Sequence, residues 1–426
     1  MADDLHTLPA TRAAAGIVQG DFTATELAQS CIDRIAEREE AVHAWHHFDP
    51  EVVLAQAAAR DQQTPTGVLH GIPVGIKDII DTRTMPTCYG SEAYRDHQPQ
   101  QDATCVDLLQ QAGAIIMGKT VTTEFAFYAP GPTANPHKLS HTPGGSSSGS
   151  AAAVADFHVP LALGTQTAGS IIRPAAYTGT IGYKPAYDTF SLTGVHPLAP
   201  SMDTLGGFAR EVGDLALLKG VLTERPPVPL SAAKPDAVAF VRSPVWEQAS
   251  PQTQAAIEQF VTTLAASGVR IIEPNDHPLA GLPELQLALL AHGASQTLGD
   301  IANKSGDKLR PETLQLIEMG AQTDPALFDK LAEATAVAQT FLQEVFSEAD
   351  LIITASAPAE APVGLQATGD PVFNRIWTLL KLPCINLPLI RIDNGLPLGV
   401  QLVGQLGGDD ALLAQAQYCT ELIDYH

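Results

Sequence analysis

Two short apolar runs closed by glycines, GIPVGIKDII (71–80) and AGAIIMGKT (112–120), most constrain how this chain can fold. Neither is long enough for a buried helix, and both sit between turn residues, so they predict buried strands. CVDLLQQAGA, which lies between them, predicts a helix ending on Gly113. A strand–helix–strand rhythm favours a largely parallel or mixed sheet with helices on its faces. The same texture returns downstream: DAVAFVR and VRIIEP read as strands around the helix QTQAAIEQFVTTLAASG. ADLIITASAP and PLGVQLVG read as core strands, and DDALLAQAQYCTELI as a closing helix. No internal repeat is visible. The expected architecture is α/β, one large domain over 1–426 with a central mixed sheet covered by helices on both faces. It includes an N-terminal helical segment (1–65) and a helix-rich insertion over about 280–348.

The N-terminal segment carries its own start signal. TATELAQSCIDRIAEREE opens with a capping box, Thr23 to Glu26, and Leu27, Cys31, Ile32 and Ile35 follow at helical spacing. ERPPVPLSAAKP (224–235) has prolines and no periodicity, which predicts a surface linker.

Composition narrows the functional classes. With 426 residues, 45% of them hydrophobic and 17% charged, the chain can bury a sizeable core. The 24 basic residues against 47 acidic ones give a net charge of −23, which repels phosphate backbones and argues against a nucleic-acid partner. Five scattered cysteines without a CxxC pair indicate neither a disulfide framework nor a zinc site. An acidic start, MADDLHTLPA, and no apolar run near 18 residues lead to the expectation of a cytoplasmic protein with no signal peptide and no membrane partner.

Three motif matches fail on context. GAIIMGKT (113–120) fits the phosphate-loop pattern, but its middle residues are themselves the strand, whose N–H groups belong to the ladder. GSSSG (145–149) fits the nucleophile elbow around Ser147, yet loop rather than strand precedes it. HAWHH places His43 and His47 four residues apart, a metal-binding spacing on a helix, with no acidic or cysteine partner beside them. No metal is expected.

Residues 142–176, TPGGSSSGSAAAVADFHVPLALGTQTAGSIIRPAA, hold two clusters of hydroxyls and glycines. A serine hydroxyl is a weak nucleophile until a neighbouring group takes its proton. No histidine sits tellingly in either cluster, but Lys77 ends an apolar strand, and burial disfavours the ammonium form. The plainer alternative for Lys77 is an ion pair with Asp78 or Asp81. TQTAGS (165–170) can turn consecutive N–H groups toward one point, as an oxyanion hole requires. The plainer alternative for both clusters is a pair of glycine-rich turns with serine N-caps.

Lys77, GGSSSGSAAAVA and GTQTAGSIIRPAA, in this order and spacing, resemble the amidase signature family, which hydrolyses amides through a Ser–Ser–Lys triad. The likeness runs from GIPVGIKD through GYKPAY and PLAPSMDTLG to GLPLGVQLVG. It implies that Ser170 is the nucleophile, Ser146 the bridging serine on a non-proline cis peptide, and Lys77 the general base. It also implies that the N–H groups of Thr167, Ala168, Gly169 and Ser170 form the oxyanion hole, that no cofactor is needed, and that the chain forms a homodimer.

Against the commonest family pattern the chain has Ser148 and Ala168 for glycines, Gln166 for an aspartate, and its arginine one place later, at Arg173. Together with GDPVFNRIWTLL these features are most similar to malonamidases, which release ammonia from malonamate. That likeness implies that Arg173 binds a substrate carboxylate, as a planar guanidinium suits. The alternative is an interior ion pair. Phe125, Phe127 and Tyr128 either line the acyl pocket or belong to the core. The expected function is hydrolysis of a small, carboxylate-bearing amide through an acyl-enzyme. The alternatives are the glutaminase component of a tRNA-dependent amidotransferase (its A subunit), making ammonia from glutamine for a partner, and an inactive binding protein on the same fold.

Overall fold

In the computed structural model, which describes residues 4–65, 67–225 and 229–423, eleven strands form one sheet. In chain order they are β1 (Trp45–Phe48), β2 (Pro73–Lys77), β3 (Ile115–Thr120), β4 (Leu161–Gln166), β5 (Ile181–Lys184), β6 (Thr204–Ala209), β7 (Ala237–Phe240), β8 (Arg270–Ile272), β9 (Leu351–Ala355), β10 (Cys384–Arg391) and β11 (Pro397–Val403). Their order across the sheet is β1-β3-β2-β4-β6-β5-β10-β11-β9-β7-β8. The two glycine-bounded runs pair with each other as parallel β2 and β3, β4 joins β2 in parallel, and β7 pairs in parallel with β8 and β9. The middle, from β4 through β6, β5, β10 and β11 to β9, is antiparallel. The sheet is therefore mixed and flanked by helices, as expected. Every residue of β2 and β3 is buried, which is why both read as unbroken apolar runs.

The N-terminal segment departs from the all-helical expectation. The capping box forms as read, with Thr23 accepting from the Glu26 N–H and Glu26 accepting from the Thr23 N–H. The helix it opens, Ala24–Val42, stops at His43 in the left-handed region, where the Glu39 carboxylate accepts the next two N–H groups, Ala44 and Trp45. WHHF then runs as β1, antiparallel to β3 at the sheet edge. His43 and His47 thus share no helix, and their spacing has no metal-binding meaning.

The two Gly/Ser clusters each lead into a short buried helix, Ser148–Ala155 and Ile172–Thr178. Serine capping does not explain them: Ser147 stands at the N-cap of the first without a side-chain cap bond. A glycine is forced at 149, because a Cβ there would collide with the Ala44 carbonyl oxygen and the Val121 amide nitrogen. Both are backbone atoms that cannot swing aside. Gly149→Ala is expected to destabilise the fold by about 2–3 kcal/mol, lowering the urea midpoint at unchanged slope. An unshifted midpoint would mean the helix is free to slide.

Residues 282–348 hold the helices Leu282–Ser305, Pro311–Ala321 and Ala326–Glu348. This stretch is joined to the sheet through Glu124, whose carboxylate accepts from the Arg310 N–H (2.8 Å) and the Thr313 hydroxyl (2.6 Å). The expected linker at 224–235 lies partly outside the described residues, and its described part holds no helix or strand. No described helix is long and apolar enough to cross a membrane.

Candidate active site

Lys77, the last residue of β2, is fully buried. Its Nζ lies 2.7 Å from Ser146 Oγ, 2.8 Å from Thr165 Oγ1 and 3.4 Å from the Thr165 carbonyl. The ion-pair alternative is not realised. Asp78 faces Lys119 instead (3.5 Å), Asp81 takes the Tyr89 hydroxyl (2.7 Å), and among the described residues no carboxylate lies within 4.0 Å of Lys77 Nζ. Burial drives the Lys77 pKa well below its ordinary value, against a smaller opposing pull from Asp203. The amine is therefore placed to be neutral, with a lone pair, next to a serine.

The first cluster owes its abundance of hydroxyls mostly to structure. Ser147 Oγ donates to the Thr165 carbonyl, Ser148 Oγ to the Val121 carbonyl and Ser150 Oγ to the Leu163 carbonyl, stitching the helix to neighbouring strands. Ser146 alone among them meets Lys77. It follows a cis peptide bond, Gly145–Ser146, as the resemblance implies.

The second cluster is clamped from several sides. Gln166, where the family commonly has aspartate, accepts from the Ile171 and Ile172 N–H groups (2.8 and 3.0 Å) and donates to Thr378 Oγ1 (3.0 Å). Thr378 in turn donates to the Ala168 carbonyl (2.7 Å), and Gln286, from the helical insertion, donates to that of Thr167 (2.9 Å). Thr167 Oγ1 donates to buried Asp203 (2.5 Å), which also accepts from the Leu198 and Ala199 N–H groups (2.9 and 3.0 Å). Among the described residues the N–H groups of Ala168, Gly169 and Ser170 donate to no protein acceptor. Such a clamped turn with free donors can bind an oxyanion. Ser170 Oγ makes no hydrogen bond to Ser146.

Ser170 opens on a cavity of about 20 Å³ that it shares with Phe127, Tyr128, Thr167, Gly169 and Arg173. Phe125 does not reach it. That ring is fully buried against Tyr89, Tyr94 and His196 and belongs to the core. A second cavity of about 240 Å³ adjoins across Ala126, Thr167 and Leu198 and reaches Thr165 and Asp203.

Arg173 is buried, yet the interior ion pair that would explain it is absent among the described residues. Nη2 donates to the Gly145 carbonyl (2.6 Å) and to Thr368 Oγ1 (3.2 Å), while Nε and Nη1 have no partner. Burial pulls its pKa down, and the nearby Tyr128, Tyr177 and Asp370 oppose this. A desolvated guanidinium with two nitrogens lacking partners among the described residues has donors free to pair with an acceptor.

The sequence reading did not single out Thr165, Asp203, Gln286 or Thr378 as site residues. Asp203 was within sight, in PLAPSMDTLG, and Thr165 directly precedes the rest of the TQT turn.

The sequence model of the amidase family matches residues 26–413. The chain is 31% identical to the A subunit of the glutamyl-tRNA(Gln) amidotransferase of Chloroflexus aggregans, over 99% of this chain and 98% of the relative. It is 32% identical to the protein of the same name from Salinispora arenicola, over 96% of each. Among solved structures, an amidase superposes with a TM-score of 0.89 at 25% identity, covering 98% of this chain and 100% of that one. The native peptide amidase of Stenotrophomonas maltophilia superposes at 0.83 and 26%, covering 98% and 97%. The chain therefore belongs to the amidase family and is an enzyme that hydrolyses amide C–N bonds.

Proposed function

We propose that the chain releases ammonia from a small, carboxylate-bearing amide such as malonamate, with Ser170 as nucleophile, Ser146 as proton bridge and Lys77 as base. The observation that carries the substrate class is Arg173, a buried side chain that lines the same cavity as Ser170 and has two nitrogens without a partner among the described residues. A substrate carboxylate would fill them and fix which carbonyl faces the serine.

In this mechanism neutral Lys77 takes the Ser146 proton while Ser146 takes that of Ser170, whose oxygen attacks the amide carbonyl. The Ser170–Ser146 hydrogen bond forms as substrate settles, since such contacts often tighten only in the complex. The N–H groups from Thr167 to Ser170 hold the oxyanion, the proton returns through the relay to the departing amine, and water releases the acid.

The test is ammonia release from malonamate beside butyramide. A strong preference for malonamate supports the reading, and equal turnover contradicts the carboxylate assignment. The base also sets a pH profile. Protonated Lys77 cannot accept a proton, so activity is expected to be lost in acid, along a limb whose apparent pKa lies well below the ordinary 10.5 of lysine. An activity still climbing toward 10.5 would contradict a buried neutral base.

The second reading, an amidotransferase glutaminase, is favoured by the names of its relatives. It predicts ammonia release from glutamine and co-purification with a partner. The reading proposed here predicts neither, and predicts a homodimer in sedimentation instead.

A further inference from the structure

The fold builds a second polar centre that takes no part in the proton relay. The register between β1 and β3 pairs Trp45 with Thr120 and His47 with Lys119, two steps on one strand against one on the other. His46 is the extra residue of this bulge, and bulges re-aim side chains. Its Nε2 lies 3.1 Å from Cys88 Sγ and 3.9 Å from Asp78 Oδ2, and the three donor atoms all fall within 4.8 Å of one another. The imidazole is half-exposed and Asp78 and Cys88 are buried, on the wall of a cavity of about 360 Å³ that also meets Arg95, Glu92 and Arg310.

A cysteine, a histidine and an aspartate could instead make a nucleophile with its base and orienting acid. That arrangement needs thiol and carboxylate on opposite ring nitrogens. Here both approach the same one, Nε2. Groups that converge on one point, rather than forming a chain, are arranged as ligands. Around a tetrahedral zinc ion, imidazole, thiolate and carboxylate donors stand about 3.3–3.6 Å apart, so small side-chain shifts complete the geometry. The carboxylate is already oriented, accepting from the Cys88 N–H (3.2 Å) and facing Lys119 across 3.5 Å. The ammonium of Lys119 opposes a cation, and a thiolate together with a carboxylate offsets it.

We propose that His46, Asp78 and Cys88 form a three-ligand site for a zinc-type divalent cation, with the fourth position open to the cavity. The sequence reading, which looked to His43 and His47, expected no metal. The site uses the histidine between them. Binding breaks the S–H bond, forms the sulfur–metal bond and expels one proton to solvent, while the thiol gives up its hydrogen bond to the Arg95 carbonyl.

The test is titration of the full chain with Co²⁺, watching for sulfur-to-cobalt charge-transfer absorption. The expected result is one Co²⁺ per chain, displaced by Zn²⁺, with the band lost in Cys88→Ser and at least tenfold weaker binding in His46→Gln. His46 is partly exposed, so His46→Gln keeps the test valid if Cys88→Ser folds poorly. Absence of the band, or a band unchanged in His46→Gln, would overturn the proposal. The readout does not depend on amidase turnover, so Ser170→Ala protein is expected to bind the ion as wild type does.

Discussion

Ser170→Ala is expected to lower ammonia release by on the order of 10⁴–10⁶-fold while the protein stays folded. The substitution removes one hydroxyl that makes no hydrogen bond among the described residues, so the thermal midpoint should hardly move. Lys77→Met is expected to match that loss, because without the amine nothing adjacent takes the relayed proton. Residues acting as one unit are non-additive, so the double variant should be little worse than either single one. If Lys77→Met kept a tenth of the activity, another base would have to be found. Among the described residues only Ser146 and Thr165 hydrogen-bond to the Lys77 amine, and neither is a base at neutral pH.

Arg173→Met is the second large effect, and it is selective. Truncating one member of a buried charge pair costs about 2–5 kcal/mol, so kcat/KM for malonamate is expected to fall by roughly 30- to 5,000-fold. Butyramide, lacking the carboxylate, should lose far less. Among the described residues the Arg173 guanidinium has two unpaired nitrogens and no carboxylate partner. Malonate should therefore raise the wild-type melting temperature and leave that of Arg173→Met unmoved. Equal losses on both amides would assign Arg173 to holding the Gly145 carbonyl, a positioning role for the loop that bears Ser146.

The difference between what the sequence revealed and what it hid has a physical pattern. β2, β3, β7, β8, β9 and β11 were legible because buried strands concentrate apolar residues between turn signals. LALGTQ, IGYK and TLGGFA of β4, β5 and β6 were not, since their glycines serve close packing: a Cβ at Gly206 would strike the Tyr183 carbonyl oxygen. β1 was missed because HAWHHF continues a helical texture. What ends the helix is Glu39, through bonds that no local propensity encodes. At the site, Lys77, Ser146 and Ser170 stood out through motif and order. Thr165 and Asp203 became visible only once sheet register set them beside Lys77 and Thr167. The missing partners of Arg173 could not be read from sequence, because being unpaired is a property of everything that surrounds a side chain.

The most direct test of the central claim, that Ser170 is activated through Ser146 and Lys77, is labelling with a fluorophosphonate followed by peptide mass mapping. Only a serine whose proton is drawn away reacts at a useful rate. One adduct per chain is expected on Ser170, absent in Ser170→Ala and strongly slowed in Lys77→Met. An adduct on another serine, or labelling at undiminished rate in Lys77→Met, would contradict it.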